Sequence, residues 1–484
     1  MSSPVLPALP IHAAWLRALG AVACLSLACQ CVLVPTLGKQ RLQQDLEQVQ
    51  ALAPSRWTAE DSAQSGAGWL EDFHAAGYRK WIHEALAHNH DLRAAAARMR
   101  QSKAEMQRLT AGMLPTLSAS FQASRTQSPG DQRFNTLPPI NNRFRVPLEV
   151  SWEIDLWGRV ADDRRAAKAR WLAAQDTYEA AQLSLIASVL RAAITLTEAE
   201  LQHRLAVENH QSRQTQLRVL ERVLERGLSA ERAALDVSLG RADLARAEAS
   251  IGQRAAAADQ ARRAMEVLLG RYPASRESGL RALPQLSRPR TGKQPLAVIA
   301  QRPDLRAAQN RLQSALALQS SSIKAFLPSL NLTGNMGRTA QETGQVFTPE
   351  AAIWSIASSV SQSLFQGGRN LANFRLSKAR YDEELSLFTQ AVLKACQEVE
   401  TALAADEFLR QQVLALEASA QQAEQAERLA QSQYERGLIE ALTLLDSRQR
   451  AFDARTACIS AQSLRLRTRV DLHLALGGAF AKSP

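Results

Sequence analysis

The chain has 484 residues, room for two or three ordinary domains, but its aromatic share is only 5% and Ala, Gln and Arg dominate, a composition of long bundles more than of compact cores. Its formal charge of +11 comes from arginines interleaved with glutamates, as in Glu221-Arg222 and Glu225-Arg226, without a basic tract. The excess therefore reads as a solvated surface and argues against a nucleic-acid partner.

Residues 18–29 are a 12-residue apolar run behind Arg17, too short for a permanent membrane helix and of the right length for a signal peptide. Residues 1–28 are read as that signal, and the mature protein is expected to be exported. Leu25-Ser26-Leu27-Ala28-Cys29 looks like a permissive lipoprotein signal, which makes Cys29 the lipidation candidate. Cys31 is the alternative, and cleavage without lipid is the plain reading. Cys396 and Cys458 are the cysteines left in the body, so a disulfide framework is not expected and both read as small packing residues. Residues 29–79 are expected to be an N-terminal extended segment.

From residue 80 onward the chain reads as two copies of one unit. At an offset of 213, His90-Asp91-Leu92-Arg93 falls on Pro303-Asp304-Leu305-Arg306, and Leu114-Pro115-x-Leu117 falls on Leu327-Pro328-x-Leu330. At an offset of 210, Glu225-Arg226-Gly227-Leu228 falls on Glu435-Arg436-Gly437-Leu438, and Leu235-Asp236 on Leu445-Asp446. The first repeat is placed at 80–272 and the second at 296–480, with a Pro-rich linker at 273–295 and a tail at 481–484.

Each repeat opens with a helix of about 25 residues beginning at Asp91 or Asp304, acids suited to the first turn. Period-two segments follow, 117–123 and 144–156 in the first repeat, 330–336 and 353–364 in the second, and alternation of this kind means strands. Polar connections at 127–143 and 341–350 make each pair a hairpin. Next, Arg159–Arg226 and Arg369–Arg436 run without one Gly or Pro, so each reads as a single helix roughly 100 Å long. Gly227 and Gly437 are the C-caps, and second helices return over 230–269 and 442–476. Four alternating strands suit a membrane barrel, yet four cannot close one. Other subunits must complete it, or the strands must be soluble.

This order of parts resembles the TolC-like outer membrane factors, in particular the lipoprotein (NodT-type) branch serving resistance-nodulation-division efflux systems. The residues that carry the resemblance are Ala85-Leu86-x-x-Asn89-x-Asp91-Leu92-Arg93, Trp152-Glu153-Ile154-Asp155-Leu156-Trp157-Gly158-Arg159, Arg302-Pro303-Asp304-Leu305-Arg306, Leu364-Phe365-Gln366-Gly367-Gly368-Arg369, Tyr434-x-x-Gly437 and Leu444-Leu445-Asp446. The chain departs from the pattern at Ser363, where the family usually has Pro, and in lacking the common Gly-Cys lipidation pair.

The resemblance implies an α+β membrane protein: a homotrimer whose subunits contribute four strands each to a 12-stranded outer membrane β-barrel, continued by a long periplasmic α-helical barrel. It implies a passive duct for drugs or other small toxic compounds, partnered by outer membrane lipid, a periplasmic adaptor (membrane fusion protein) and an inner membrane RND-type pump. No catalytic residue, cofactor or metal is expected. The turns Arg226-Gly227-Leu228 and Arg436-Gly437-Leu438 are the candidate adaptor contacts, with a purely structural C-cap as the alternative. Asp446, Glu440 and Asp236 are the pore-gate candidates, since carboxylate rings favour cations. The plain alternative for each is a solvated helix acid or an intersubunit ion pair with a nearby arginine such as Arg448 or Arg232. His83-Glu84 with His88 lacks the zincin spacing. A type I protein-secretion duct is the second reading, and a periplasmic coiled-coil adaptor or scaffold is the one from a different class.

Overall fold

The computed structural model describes residues 40–54, 56–57, 73, 76–127, 140–225, 230–286 and 295–477. The signal segment, Cys29 and Cys31 lie outside them. The elements in chain order are α1 (40–50), α2 (Ala76–His88), α3 (His90–Ala111), β1 (Thr116–Ala119), β2 (Gln122–Gln127), β3 (Ile140–Ile154), α4 (Arg159–Glu225), α5 (Ala230–Leu268), α6 (Pro295–Gln301), α7 (Pro303–Lys324), β4 (Ser329–Ala340), β5 (Ala352–Ser361), α8 (Arg369–Glu435) and α9 (Ala441–Ala475). Two short 3-10 turns, Thr343–Phe347 and Pro349–Ala351, join β4 to β5. Helix α8 ends one residue before the expected limit, and α4 is helical to Glu225, the last residue described before 230.

Contacts divide the chain into two units, one of residues 1–50, 99–174 and 307–389, the other of 51–98, 175–306 and 390–484. Each holds segments of both repeats.

The first unit carries the antiparallel sheet, in the order β1-β3-β4-β5, with β2 also paired to β3. Because β1 and β2 share one side of β3, the sheet has four strand positions. Paired residues of an antiparallel ladder lie on the same face, so the register sorts the side chains. Leu148 faces Ala119 and Met336, Val150 faces Leu117 and Gly334, and Met336 faces Trp354. On the opposite face Glu149 meets Ser118 and Asn335, Ser151 meets Thr116 and Thr333, and Glu153 meets Asn331. One face is thus apolar and the other polar. The apolar side chains are open: Trp354 is 78% exposed and Leu117 70%.

On its β1/β2 side the ladder of β3 is interrupted opposite Pro147, a local crease. Proline has no N–H to give to a ladder, and β1 and β2 are interrupted at Ser120-Phe121, where the Ser120 N–H reaches the Pro147 carbonyl at 3.2 Å. On the other side β4 places Gly337 against Pro147. A Cβ there would lie 2.5 Å from the Val146 oxygen and 2.7 Å from Pro147 Cα, so only glycine fits.

Indole groups and a buried ion pair fix where strands become helices. Trp152 Nε1 donates to the Met113 carbonyl at 3.0 Å and Trp157 Nε1 to that of Pro328 at 2.6 Å. Asp155 accepts from the Val160 and Ala161 N–H groups at the start of α4, at 3.1 and 2.7 Å, the service an N-terminal cap provides. Lys324 Nζ lies 2.6 Å from Asp162, with side-chain exposures of 7% and 2%, and Ser320 donates to the same carboxylate at 2.6 Å.

The segment expected to be extended, 29–79, is helical over 40–50. The reason is local: Gln40-Arg-Leu-Gln-Gln-Asp-Leu-Glu-Gln-Val49 is rich in strong helix formers, with Leu42, Leu46 and Val49 on one face. Val49 is buried. Asp45 accepts from the Tyr381 hydroxyl at 2.5 Å, and the Arg41 guanidinium stacks 4.7 Å from that ring, docking α1 on α8. Helix α2 also begins within this segment, four residues before the expected repeat boundary. The first repeat's opening helix starts at His90, and its cap is Asn89, whose Oδ1 accepts from the Leu92 N–H at 3.0 Å.

The second unit is helical. Its main core joins Tyr78, Trp81 and Ile82 of α2, Ile186, Leu190 and Ile194 of α4, Met265 of α5 and Leu466 and Val470 of α9. Buried Arg469 pairs with buried Asp406 at 3.0 Å, tying α9 to α8. The Pro-rich connection is packed over 271–286. Buried Glu266 accepts the N–H groups of Ser275, Arg276 and Glu277 at 2.7, 2.6 and 3.1 Å, and the Leu280 N–H reaches Thr197 Oγ1 at 3.0 Å. Leu280, Leu283 and Leu286 lie against the main core.

Candidate functional site

The candidate residues sit where the long helices turn. The α8 end is a Schellman motif: the Leu438 N–H bonds to the Gln433 carbonyl and the Gly437 N–H to that of Tyr434, each at 2.9 Å. Gly437 has φ +70, the left-handed conformation this cap requires. Arg436, Gly437 and Leu438 are all exposed, Leu438 at 69%. Arg226, Gly227 and Leu228 lie outside the described residues.

Beneath the exposed turn, Leu217 and Leu220 of α4, Val237 of α5 and Ala441 of α9 form a small core, with Leu224, Leu244 and Tyr434 packed on it. The two helical hairpins therefore meet here. Asp236, half-buried, is brought beside Tyr434. Burial pushes the Tyr434 phenol above its ordinary range, and the Asp236 carboxylate adds to the shift. Glu440 is the N-cap residue of α9 and uses its carbonyl, which accepts the Thr443 N–H at 3.1 Å, while its side chain makes no capping bond.

Asp446 is exposed on α9 and paired with Arg450, four residues on, at 2.8 Å. Within the subunit its partner is thus Arg450, not Arg448. Helical geometry brings positions i and i+4 together, whereas Arg448 points the other way, toward Gln431 of α8 and toward the Ser212 carbonyl of α4 at 3.4 Å. Burial lowers the Arg448 pKa, with Glu427 opposing the shift. Arg213 makes a companion tie: almost fully buried, it donates to Asp243 of α5 at 3.0 Å and to Gln449 of α9 at 2.8 Å. Sequence reasoning missed Arg213 altogether. It stands between polar residues, in Gln211-Ser212-Arg213-Gln214, and only the facing helices show it to be interior. The side chain of Arg232 lies outside the described residues. Glu84, weighed with His83 for metal binding, forms an ion pair with Arg271 instead.

The outer membrane efflux protein family model matches residues 81–271 and 296–478, spanning both repeats. The chain belongs to this family. The efflux protein is 29% identical over 457 residues to outer membrane protein OprJ of Pseudomonas aeruginosa, covering 92% of this chain and 94% of OprJ. It is 25% identical over 448 residues to the protein named "Probable outer membrane lipoprotein SilC" of Salmonella typhimurium, covering 92% and 95%. The open-state structure of the MtrE outer membrane channel of Neisseria gonorrhoeae superposes with a TM-score of 0.73 at 29% identity, over 88% of this chain and 97% of MtrE. The efflux protein thus has the fold of an outer membrane efflux channel and is an outer membrane protein.

Proposed function

We propose that three copies close their sheets into one 12-stranded barrel and that the efflux protein is the outer membrane duct of a tripartite pump. The observation that carries this reading is the sheet itself. Its apolar face is open, and among the described residues its β1/β2 and β5 edges have no strand partner. Lipid tolerates an apolar face but no open edge, so each edge needs a neighbour, and four strand positions per subunit give 12 in a trimer.

In this reading the partners are a periplasmic adaptor, docking at Arg226-Gly227-Leu228 and Arg436-Gly437-Leu438, and an RND-type inner membrane pump supplying drugs or other small toxic compounds. A lipid on Cys29, or on Cys31, supplements the barrel as anchor. Asp446, Glu440 and Asp236 line the constriction, and helix movements break the Arg213 and Arg448 ties when it opens. The repeats are 80–272 and 296–480. The deciding experiment is the mass of the detergent-extracted particle from outer membranes. A three-subunit particle that conducts in planar bilayers is expected, and a monomer in the soluble fraction would refute the duct.

A further inference from the structure

The polar face of the sheet carries a charge step along β3. Arg143 and Arg145 lie toward the 128–139 connection, and Glu149 and Glu153 toward α4. All four alternate with Phe144, Val146, Leu148, Val150 and Trp152, so they share the face opposite the apolar one. Arg143 is paired with Ser124, and Arg145 with Gln122 and Thr339; no acid occupies either layer of the ladder. Among the described residues neither arginine forms an ion pair. Glu342, just beyond β4, is engaged by Gln345 Nε2 at 3.0 Å. Glu153 is compensated by Arg159 at 2.7 Å.

We infer that Arg143 and Arg145 form an anion-attracting belt inside the barrel at the end away from the helices, and that small multivalent anions bind there. The inference rests on the trimeric barrel proposed above, which turns the polar face inward and assembles six guanidinium groups from two per subunit. Residues two apart on a strand are about 7 Å from each other, inside the Debye length of about 10 Å at 0.1 M salt, so the two layers act together. Arg145 and Glu149 are about 14 Å apart along the strand, beyond that length, and the acid does not cancel the belt. Fixed rings of positive side chains draw anions into a pore.

The test is block of single-channel current by citrate, applied to the full-length protein from either side of a planar bilayer. In 0.1 M KCl, citrate added on one side should block the wild type at about one tenth the concentration needed for R143Q/R145Q. The difference should vanish at 1 M KCl, where the screening length falls to about 3 Å. R143K/R145K and E149Q should block as the wild type does. Single variants R143Q and R145Q should each show about a threefold loss, which serves if the double variant does not assemble. Equal block in all variants of a conducting trimer overturns the belt alone. A monomeric particle with no conductance overturns the barrel and the belt with it.

Discussion

Replacing Gly437 with valine isolates the contribution of the α8–α9 turn. At φ +70 an L-residue costs roughly 1–2 kcal/mol, and the added Cβ meets no atom within 4 Å, so conformational strain is the whole effect. That strain lowers the population of the Schellman turn by a factor of about 5–30. The two bonds closing the turn, from the Gly437 and Leu438 N–H groups, are then given up, and Arg436 and Leu438 lose their fixed presentation. The sheet is untouched, so particle mass and membrane level should stay normal while adaptor co-purification and drug resistance fall. G437N, whose side chain tolerates the left-handed region, should retain most of both. Wild-type resistance and adaptor capture in G437V, at matched membrane levels, would refute the docking role of the turn.

D446N should reduce the cation preference of the open channel, measured as a reversal potential, whereas R450Q should increase it by freeing the paired carboxylate. K324M removes the amine from buried Asp162 but leaves it the Arg165 guanidinium and the Ser320 hydroxyl, so the cost falls below the about 3–5 kcal/mol of a fully orphaned buried charge. Thermal dissociation of the detergent-solubilised particle should shift downward accordingly. Glu266 gives a pH signature: burial pushes its carboxyl up, but three backbone N–H bonds outweigh this and hold it below the ordinary range. Its contribution is fully present above the unfolded value of about 4.3 and is lost as pH falls through the lower folded value. Amide protection factors at 275–277, corrected for the intrinsic exchange rate, should fall on acidification over that window, and E266Q should abolish this pH dependence.

The long helices and the strands were legible because their signals are local. A Gly- and Pro-free run and strict alternation depend on the chain alone, and α8 ends within one residue of the expected limit, at Glu435. Partners across helices were not legible. Arg448 stands two residues from Asp446, yet its bonds run to α4 and α8, because neighbouring positions on a helix face different directions. Over 273–286 the chain is irregular, but irregular backbone can still be docked, and what docks it here is a glutamate in the preceding helix. Helix α1 was passed over because it is short and isolated from the repeat. Its evidence is the Tyr381 hydroxyl more than 300 positions away.

The Pro147 crease has a consequence for symmetry. The two repeats descend from one pattern, and equal copies closed three times would give a ring with sixfold character. Only the first repeat carries the interrupted strand and the proline, while β4 and β5 run unbroken. Creased and smooth hairpins would then alternate around the wall, making its outline rounded-triangular at that level. A cargo passing there would meet three interrupted ladders among six hairpins, a wall of threefold character only.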